Sequence, residues 1–164
     1  MPKIDPIRPT DTEARQLARD LLAGARFGSL GVIDPETGAP MVSRVAVGQN
    51  EDGAPILLVS DLSHHTRALK AAPDCSLLVG EPGPRGDPLT HPRVTLQAHA
   101  GFLRYGVPGH AKLRAHYLKT HPKSALYIDF TDFSFVVLNV QKAFLNGGFG
   151  KAYMLTPKDL HHDN

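Results

Sequence analysis

Residues 29–60 read SLGVIDPETGAPMVSRVAVGQNEDGAPILLVS, and this stretch indicates the architecture of the chain. It contains three short apolar runs, at Ser29 to Ile33, Met41 to Val47 and Ile56 to Ser60. The runs are separated by 34–38 and 50–53, two polar segments that each contain a glycine. Strands of five to seven residues joined by such turns are typical of an antiparallel meander.

The segments on both sides extend this pattern into a mainly β fold. Upstream, Thr10 and Glu13 have the spacing of a capping box, and apolar residues at helical spacing predict a helix over residues 11–25. Downstream, the pattern predicts helices at 63–72 and 109–121 and strands at 75–80, 94–105, 134–140, 143–145 and 152–155. We therefore expect a mostly antiparallel barrel of six to seven strands with peripheral helices.

Composition limits the organisation and the partners of the chain. Its 164 residues predict one domain over 1–164, and 18 Lys and Arg against 16 Asp and Glu do not suggest a nucleic-acid partner. No apolar run is long enough for a membrane span, and the N-terminus has no signal-peptide pattern. With a single cysteine, these features predict a cytoplasmic protein that needs no disulfide.

Known catalytic and metal motifs are missing from the sequence. It has no G-x-S-x-G, H-E-x-x-H or C-x-x-C, and the segment around Gly148–Lys151 matches neither a P-loop nor a dinucleotide-binding fingerprint. His110, His116 and His121 are six and five residues apart, which does not place two of them on one helical face. We therefore predict no metal-ion site and assign no catalytic residue.

The segment Ser60–Arg67, SDLSHHTR, carries the sharpest chemical signal. It runs from the end of a strand into a helix N-terminus, where free N–H groups and the helix dipole favour an anion. Thr66 adds a hydroxyl and Arg67 a guanidinium, which together suit a phosphate monoester. The alternative is an ordinary capped helix with a surface arginine.

With these pieces in order, the sequence resembles the FMN-binding split barrels related to pyridoxamine 5'-phosphate oxidase. The resemblance covers residues 11–155 and rests on ARFGSLG at 25–31, PMVSRV at 40–45, the SDLSHHTR segment, APDCSLL at 72–78 and RVTL at 93–96. The chain most resembles the haem-utilisation (HugZ-type) branch, through Ser-x-Leu-x-x-His-Thr-Arg and the LNGGFGKA run at 145–152. We expect it to lack the C-terminal domain that many members of that branch carry.

The resemblance implies a homodimer with FMN bound between two subunits. Carried over residue by residue, it implies that the cofactor is held by Ser43, Arg44, Val45, Ser60, His65, Thr66, Arg67 and Arg93. Ser43 stands where the oxidase has its phosphate-binding arginine, and strand alternation places Arg44 on the opposite face. Arg93 stands where the oxidase has a glutamine near the flavin ring.

The leading functional prediction is a flavin-dependent oxidoreductase whose small-molecule substrate is unidentified, since a flavin supplies the redox chemistry without a catalytic side chain. The first alternative, implied by the HugZ-type branch, is haem binding or haem degradation, with His161 or His162 as axial ligand. The second alternative is a flavin-carrying or ligand-sensing module without turnover.

Overall fold

The computed structural model describes residues 3–161, which form eight strands and four α-helices. The strands are β1 (Ile7–Arg8), β2 (Phe27–Ile33), β3 (Pro40–Gln49), β4 (Pro55–Ser60), β5 (Asp74–Val79), β6 (Arg93–Arg104), β7 (Phe133–Asn146) and β8 (Ala152–Leu155). The helices are α1 (Thr12–Gly24), α2 (His64–Ala71), α3 (His110–Thr120) and α4 (Pro157–Leu160). Short 3₁₀ turns lie at Pro88–Thr90 and Pro122–Leu126.

Six of the strands close into an antiparallel barrel. They follow the order β7-β4-β3-β2-β5-β6, and β6 pairs with β7 to complete the ring. At the edge of β7, β8 adds one antiparallel strand, and β1 pairs with β8 in parallel. The predicted mainly β barrel with peripheral helices is therefore confirmed.

The barrel interior is filled by alternate side chains of its strands. Leu30 and Val32 of β2 and Val45 and Val47 of β3 are buried, and their neighbours in sequence face outward or lie at the rim. At Gly28, a Cβ atom would come within 2.8 Å of the Leu78 carbonyl oxygen, so this close approach of β2 and β5 requires a glycine.

A second apolar cluster lies outside the barrel and fixes the position of α3. It comprises Ile56 and Leu58 of β4, Phe135 of β7, Leu113 and Tyr117 of α3, and Ile128 of the following loop. Strand β4 is thus buried on both of its faces. The loop between α3 and β7 is held against the end of β4, where α2 begins.

Two local predictions differ from the structure. The N-cap of α1 is Asp11 rather than Thr10, because the Asp11 carboxylate accepts from the Ala14 N–H while the Thr10 hydroxyl donates to the Met154 carbonyl. The strands predicted at 134–140 and 143–145 are one continuous strand, with a register irregularity against β6 at Gln97/Ala98. Within residues 3–161, none of the helices is long and apolar enough to cross a membrane.

Candidate functional site

A cleft lies where β4 ends and α2 begins, and we call it the His65 cleft. It has a volume of about 290 Å³ and lies between β3, β4, the start of α2 and the loop before β7. Its walls are formed by Arg44, Val45, Ala46, Leu58, Val59, Ser60, Ser63, His65, Tyr127 and Phe133. The cleft thus combines an apolar wall, two aromatic rings, one cation and one imidazole.

His65 is the second residue of α2 and is partly buried. Its Nδ1 lies 3.3 Å from the Ser43 hydroxyl oxygen, and its Nε2 has no hydrogen-bond partner within residues 3–161. Burial, and secondarily the neighbouring His64, lowers the pKa of His65. The imidazole is therefore neutral at physiological pH, with one nitrogen positioned by a hydroxyl group and the other free to bind.

Arg44 supplies the positive charge of the cleft. As alternation predicted, Arg44 and Ser43 lie on opposite faces of β3, and the Arg44 guanidinium stands over the Phe27 ring at 5.6 Å. No carboxylate among the described residues forms an ion pair with it. Its charge is thus available to a carboxylate or phosphate of a ligand, while the buried Val45 forms part of the apolar wall beside it.

The hydroxyl group of Ser60 is already used within the protein. It donates to the Asp132 carboxylate at 2.5 Å and accepts from the Leu62 N–H at 3.1 Å. The Ser60 proton is therefore not free for an anion. The contact also places the Asp132 carboxylate beside the turn where the sequence predicts a phosphate.

Thr66 and Arg67 lie outside the cleft wall. Thr66 is completely buried, and its hydroxyl has no partner within residues 3–161. Arg67 is exposed, and its Nη2 lies 3.3 Å from Nδ1 of His64, whose Nε2 in turn lies 3.3 Å from Asp34. Arg67 thus extends along the outer side of α2 toward solvent.

Along the sheet, Arg93 is separated from Arg44 of the cleft by two intervening strands. Cross-strand pairing runs from Arg44 to Ser29, then to Leu78 and Thr95, two residues along β6 from Arg93. Three strand spacings correspond to about 14 Å. The Arg93 guanidinium donates to the carbonyls of Leu89 and His91, so a single protomer does not bring it to the His65 cleft.

The predicted haem ligands of the C-terminal segment lie elsewhere. His161 is exposed and lines a separate cavity of about 200 Å³ beside Pro55, at the opposite end of β4 from Ser60. Five strand residues correspond to about 16 Å. His162 lies outside the described residues.

Sequence reasoning missed Tyr127, Asp132 and Phe133. Tyr127 and Phe133 line the cleft and Asp132 lies beside it at Ser60, because β4 pairs with β7 in the register that places Ser60 opposite Phe133. The local signal was the run of aromatic and acidic residues YIDFTDF at 127–133, which is too polar for a core strand. Its partner strand cannot be identified from local pattern.

The assembled residues combine a nitrogen that can bind a metal with a cation that can bind a carboxylate or phosphate. A neutral, positioned imidazole is the commonest metal ligand, and an unpaired arginine binds carboxylates. The residues do not form a metal-ion site of their own, since within 3–161 no three His, Cys, Asp or Glu side chains cluster to hold an ion.

Comparison with known proteins identifies several relatives. The non-canonical haem oxygenase HOZ, chloroplastic, of Arabidopsis thaliana is 35% identical over 140 residues, covering 79% of this chain and 42% of that protein. A solved haem-binding protein from Mycobacterium smegmatis is 34% identical with a TM-score of 0.80, covering 94% of this chain and 61% of the other. The chain spans less than two thirds of the length of each of these two proteins.

The fold is also that of the pyridoxinephosphate oxidase family. A solved protein of that family from Clostridium acetobutylicum, related to general stress protein 26, superimposes with a TM-score of 0.68 at 13% identity, covering 93% of this chain and all of the other. The sequence pattern of the family described as CREG, beta-barrel, matches residues 9–162. This chain therefore belongs to the CREG β-barrel family.

Proposed function

We propose that this chain binds haem in the His65 cleft, with a second copy of the chain forming the opposite wall. The observation that carries the proposal is the imidazole of His65, which is neutral, is positioned through Nδ1 by Ser43 and has no partner at Nε2. Histidine ligands of metals characteristically use their second nitrogen in this way. The haem-binding relative from Mycobacterium smegmatis and the haem oxygenase HOZ support the same ligand.

The cleft suits haem better than it suits FMN. A flavin phosphate needs free hydrogen-bond donors at the start of α2. The Ser60 hydroxyl, however, already donates to the Asp132 carboxylate, and Arg67 extends toward solvent. Haem needs an axial ligand, an apolar surface and a cation. His65, the rings of Tyr127 and Phe133, and Arg44 meet these three needs.

Each residue then has a definite role. His65 would bind the iron through its free nitrogen, and Ser43 would hold the imidazole in one orientation. Arg44 would pair with a carboxylate of the haem, and the side chains of Val45 and Leu58 would contact its apolar surface. When bound, haem iron supplies redox and oxygen chemistry that the side chains of this site lack.

The size of the cleft is the reason for including a second copy. A volume of about 290 Å³ is at the small end of ligand pockets, which span about 300–1,000 Å³. Beside Arg44, the outer sheet face exposes Phe27, Val42 and Leu78 at 43%, 68% and 41%. A two-fold dimer through this face would cover these side chains and bring a second wall to the cleft.

Spectroscopic titration tests the choice of cofactor. We expect hemin to bind the purified protein at one haem per chain, with a sharpened Soret band and a dissociation constant near or below about 1 μM. FMN and riboflavin, titrated in parallel, should bind weakly and with equal affinity. Saturable binding that prefers FMN to riboflavin, without a Soret change on adding hemin, would contradict the proposal and support the flavin prediction.

Two neighbouring histidines give a matched test of the site. His65→Ala should weaken haem binding by about a hundredfold and shift the Soret maximum, because the axial nitrogen is lost. His64→Ala removes the same group one residue earlier, on the side facing Asp34, and should change affinity less than about twofold. Equal effects of the two substitutions would place the ligand elsewhere.

A further inference from the structure

A second cleft, which we call the His110 cleft, lies at the start of α3 and takes no part in the site described above. It has a volume of about 660 Å³ and is lined by the Tyr105–Ala111 segment together with Arg114 and Asp129. Its size falls within the range of small-molecule pockets. We propose that it binds a small organic anion, with the carboxylate or phosphate group at the N-terminus of α3 and an apolar body against Tyr105 and Val107.

The N-terminus of α3 offers unused hydrogen-bond donors. Its N-cap is Gly109, with φ of 94°, so no side chain caps the helix. The N–H groups of His110 and Leu113 bond to the carbonyls of Val107 and Gly109, whereas those of Ala111 and Lys112 have no partner within residues 3–161. Two free N–H groups at the positive end of a helix dipole favour an anion.

The buried side chain of His110 independently indicates a ligand. It is only 3% exposed and lies between the rings of Tyr105 and Phe135, at centroid distances of 5.5 and 5.2 Å. Neither ring nitrogen has a hydrogen-bond partner among the described residues, although the side chain lines the cleft. The His110 nitrogens are not among the fully enclosed unpartnered atoms of residues 3–161, so the free donor of this otherwise buried ring is accessible from the cleft to a partner from outside the chain.

The Arg114 guanidinium is held in place one turn further along α3. Its Nε and Nη2 donate to the two Asp129 carboxylate oxygens at 2.7 and 2.6 Å, which fixes the guanidinium and leaves Nη1 unused. Asp129 balances the arginine charge, so the anion would be held by hydrogen bonds from the helix N-terminus, the His110 N–H and the unused Nη1 of Arg114. The exposed Tyr105 ring, Val107 and Pro108 complete an apolar wall that a bare inorganic ion would not contact.

Three probes separate the parts of this proposal. Phenyl phosphate, benzoate and inorganic phosphate are titrated into ¹⁵N-labelled protein. We expect saturable shifts of the Ala111 and Lys112 amide signals with phenyl phosphate or benzoate, at dissociation constants near or below about 1 mM. Inorganic phosphate should bind at least about tenfold more weakly, because it lacks the apolar body. The better of the two organic probes identifies the anionic group.

Matched variants separate the site from general charge effects. The double variant Arg114→Gln/Asp129→Asn keeps the net charge and should lower the affinity for the better-binding organic probe by about tenfold. His110→Phe keeps a ring but no donor and should lower this affinity by a similar factor. Lys112→Gln removes a charge from the same turn, where the side chain pairs with Glu51, and should change affinity less than about twofold. Absence of saturable shifts at Ala111 and Lys112 in the wild-type protein, or equal losses in all variants, would overturn the proposal.

Discussion

His65 and His110 both lie in the first turn of a helix, and burial lowers the pKa of both, yet their surroundings prepare them for different ligands. His65 has its Nδ1 beside the Ser43 hydroxyl, which fixes the ring and leaves one nitrogen for coordination. Within residues 3–161, the His110 ring has no hydrogen bond and is held by packing against the rings of Tyr105 and Phe135. A buried imidazole is suited to binding a metal when a hydrogen bond to one ring nitrogen fixes the ring and leaves the other nitrogen free. When neither nitrogen is bonded, the ring is suited to hydrogen bonding with a ligand.

The walls of the two clefts differ as well. The His65 cleft is small and opens next to an exposed apolar sheet face, whereas the His110 cleft is more than twice as large within one protomer. The first is therefore proposed to depend on a second copy of the chain, and the second is not. This difference can be tested directly.

The largest effect should come from breaking the proposed dimer. Val42→Asp places a charge on the exposed sheet face and should convert the protein to a monomer in sedimentation experiments. Haem affinity should then fall by about a hundredfold, since a wall that buries ~100 Å² of macrocycle contributes about 2.5 kcal/mol. Binding of phenyl phosphate should not change.

Ile4→Asp provides the control, because Ile4 is an exposed apolar residue that lies outside the sheet. It should leave both the sedimentation coefficient and the haem affinity as they are. A monomeric Val42→Asp protein that binds haem as tightly as the wild type would show that one copy forms the complete site.

A smaller loss of haem affinity is expected when the hydrogen bond to His65 is removed, which leaves its ring without a partner, as the ring of His110 is. Ser43→Ala removes the hydroxyl beside Nδ1 and should lower haem affinity by about tenfold, at the low end for a group that orients a metal ligand because the contact is 3.3 Å long. Ser43→Thr keeps the hydroxyl and should restore most of the affinity. If alanine and threonine variants behave alike, Ser43 does not position the ring.

Stability should depend on pH through both histidines. Each has a lowered pKa in the folded protein, while in the unfolded chain it titrates near 6.5, so the unfolded state binds more protons as the pH falls below that value. The free energy of unfolding should therefore decrease as the pH falls below about 6.5, by at most about 1.4 kcal/mol per pH unit for each histidine. Urea denaturation at several pH values measures this slope.

The two histidines can be separated in the same experiment. His65→Ala and His110→Phe should each remove part of the slope, and the double variant should remove both parts. A wild-type stability that does not change between pH 7 and 5 would show that neither imidazole resists protonation in the folded state.

The smallest effect should come from the C-terminal histidines. His161→Ala/His162→Ala should change haem affinity less than about twofold, because His161 lines a cavity at the far end of β4 from the His65 cleft. Loss of the Soret band in this variant would assign the haem ligand to the C-terminal segment, as in the first alternative drawn from the sequence, and would remove that role from His65.

Much of the fold could be predicted because its signals are local. The alternating runs at Ser29–Ile33 and Met41–Val47 and the helical spacing after Thr12 contain their own periodicity, and the structure has strands and a helix there. The joining of residues 134–145 into one strand was not predictable. Its middle is polar, and continuity depends on pairing with β6 and β8, which are distant in sequence.

The candidate site also has one part that local sequence signals predict and one part that they do not. Ser43, Arg44, Val45, Ser60 and His65 come together at one cleft, since they lie on consecutive elements β3, β4 and α2.

The remaining site residues depended on long-range pairing or on side-chain direction. Tyr127 and Phe133 enter through the pairing of β4 with β7, and the Asp132 carboxylate accepts the hydrogen bond from the Ser60 hydroxyl, a group that the resemblance placed against the cofactor. Arg67 and Arg93 satisfied the motif, but a motif does not show that one points to solvent and the other bonds to nearby carbonyls.

The long strand β7 also determines how this chain can fold during synthesis. It pairs with β4 on one edge and with β6 on the other, so the barrel has two open edges until β7 has left the ribosome. Because the contacts of β4 with β7 span α2, β5, β6 and α3, closure requires a large loop and should be slow. A ribosome-bound chain ending before residue 133 would expose both strand edges, and this interval is when chaperones would be needed and when aggregation would compete with folding.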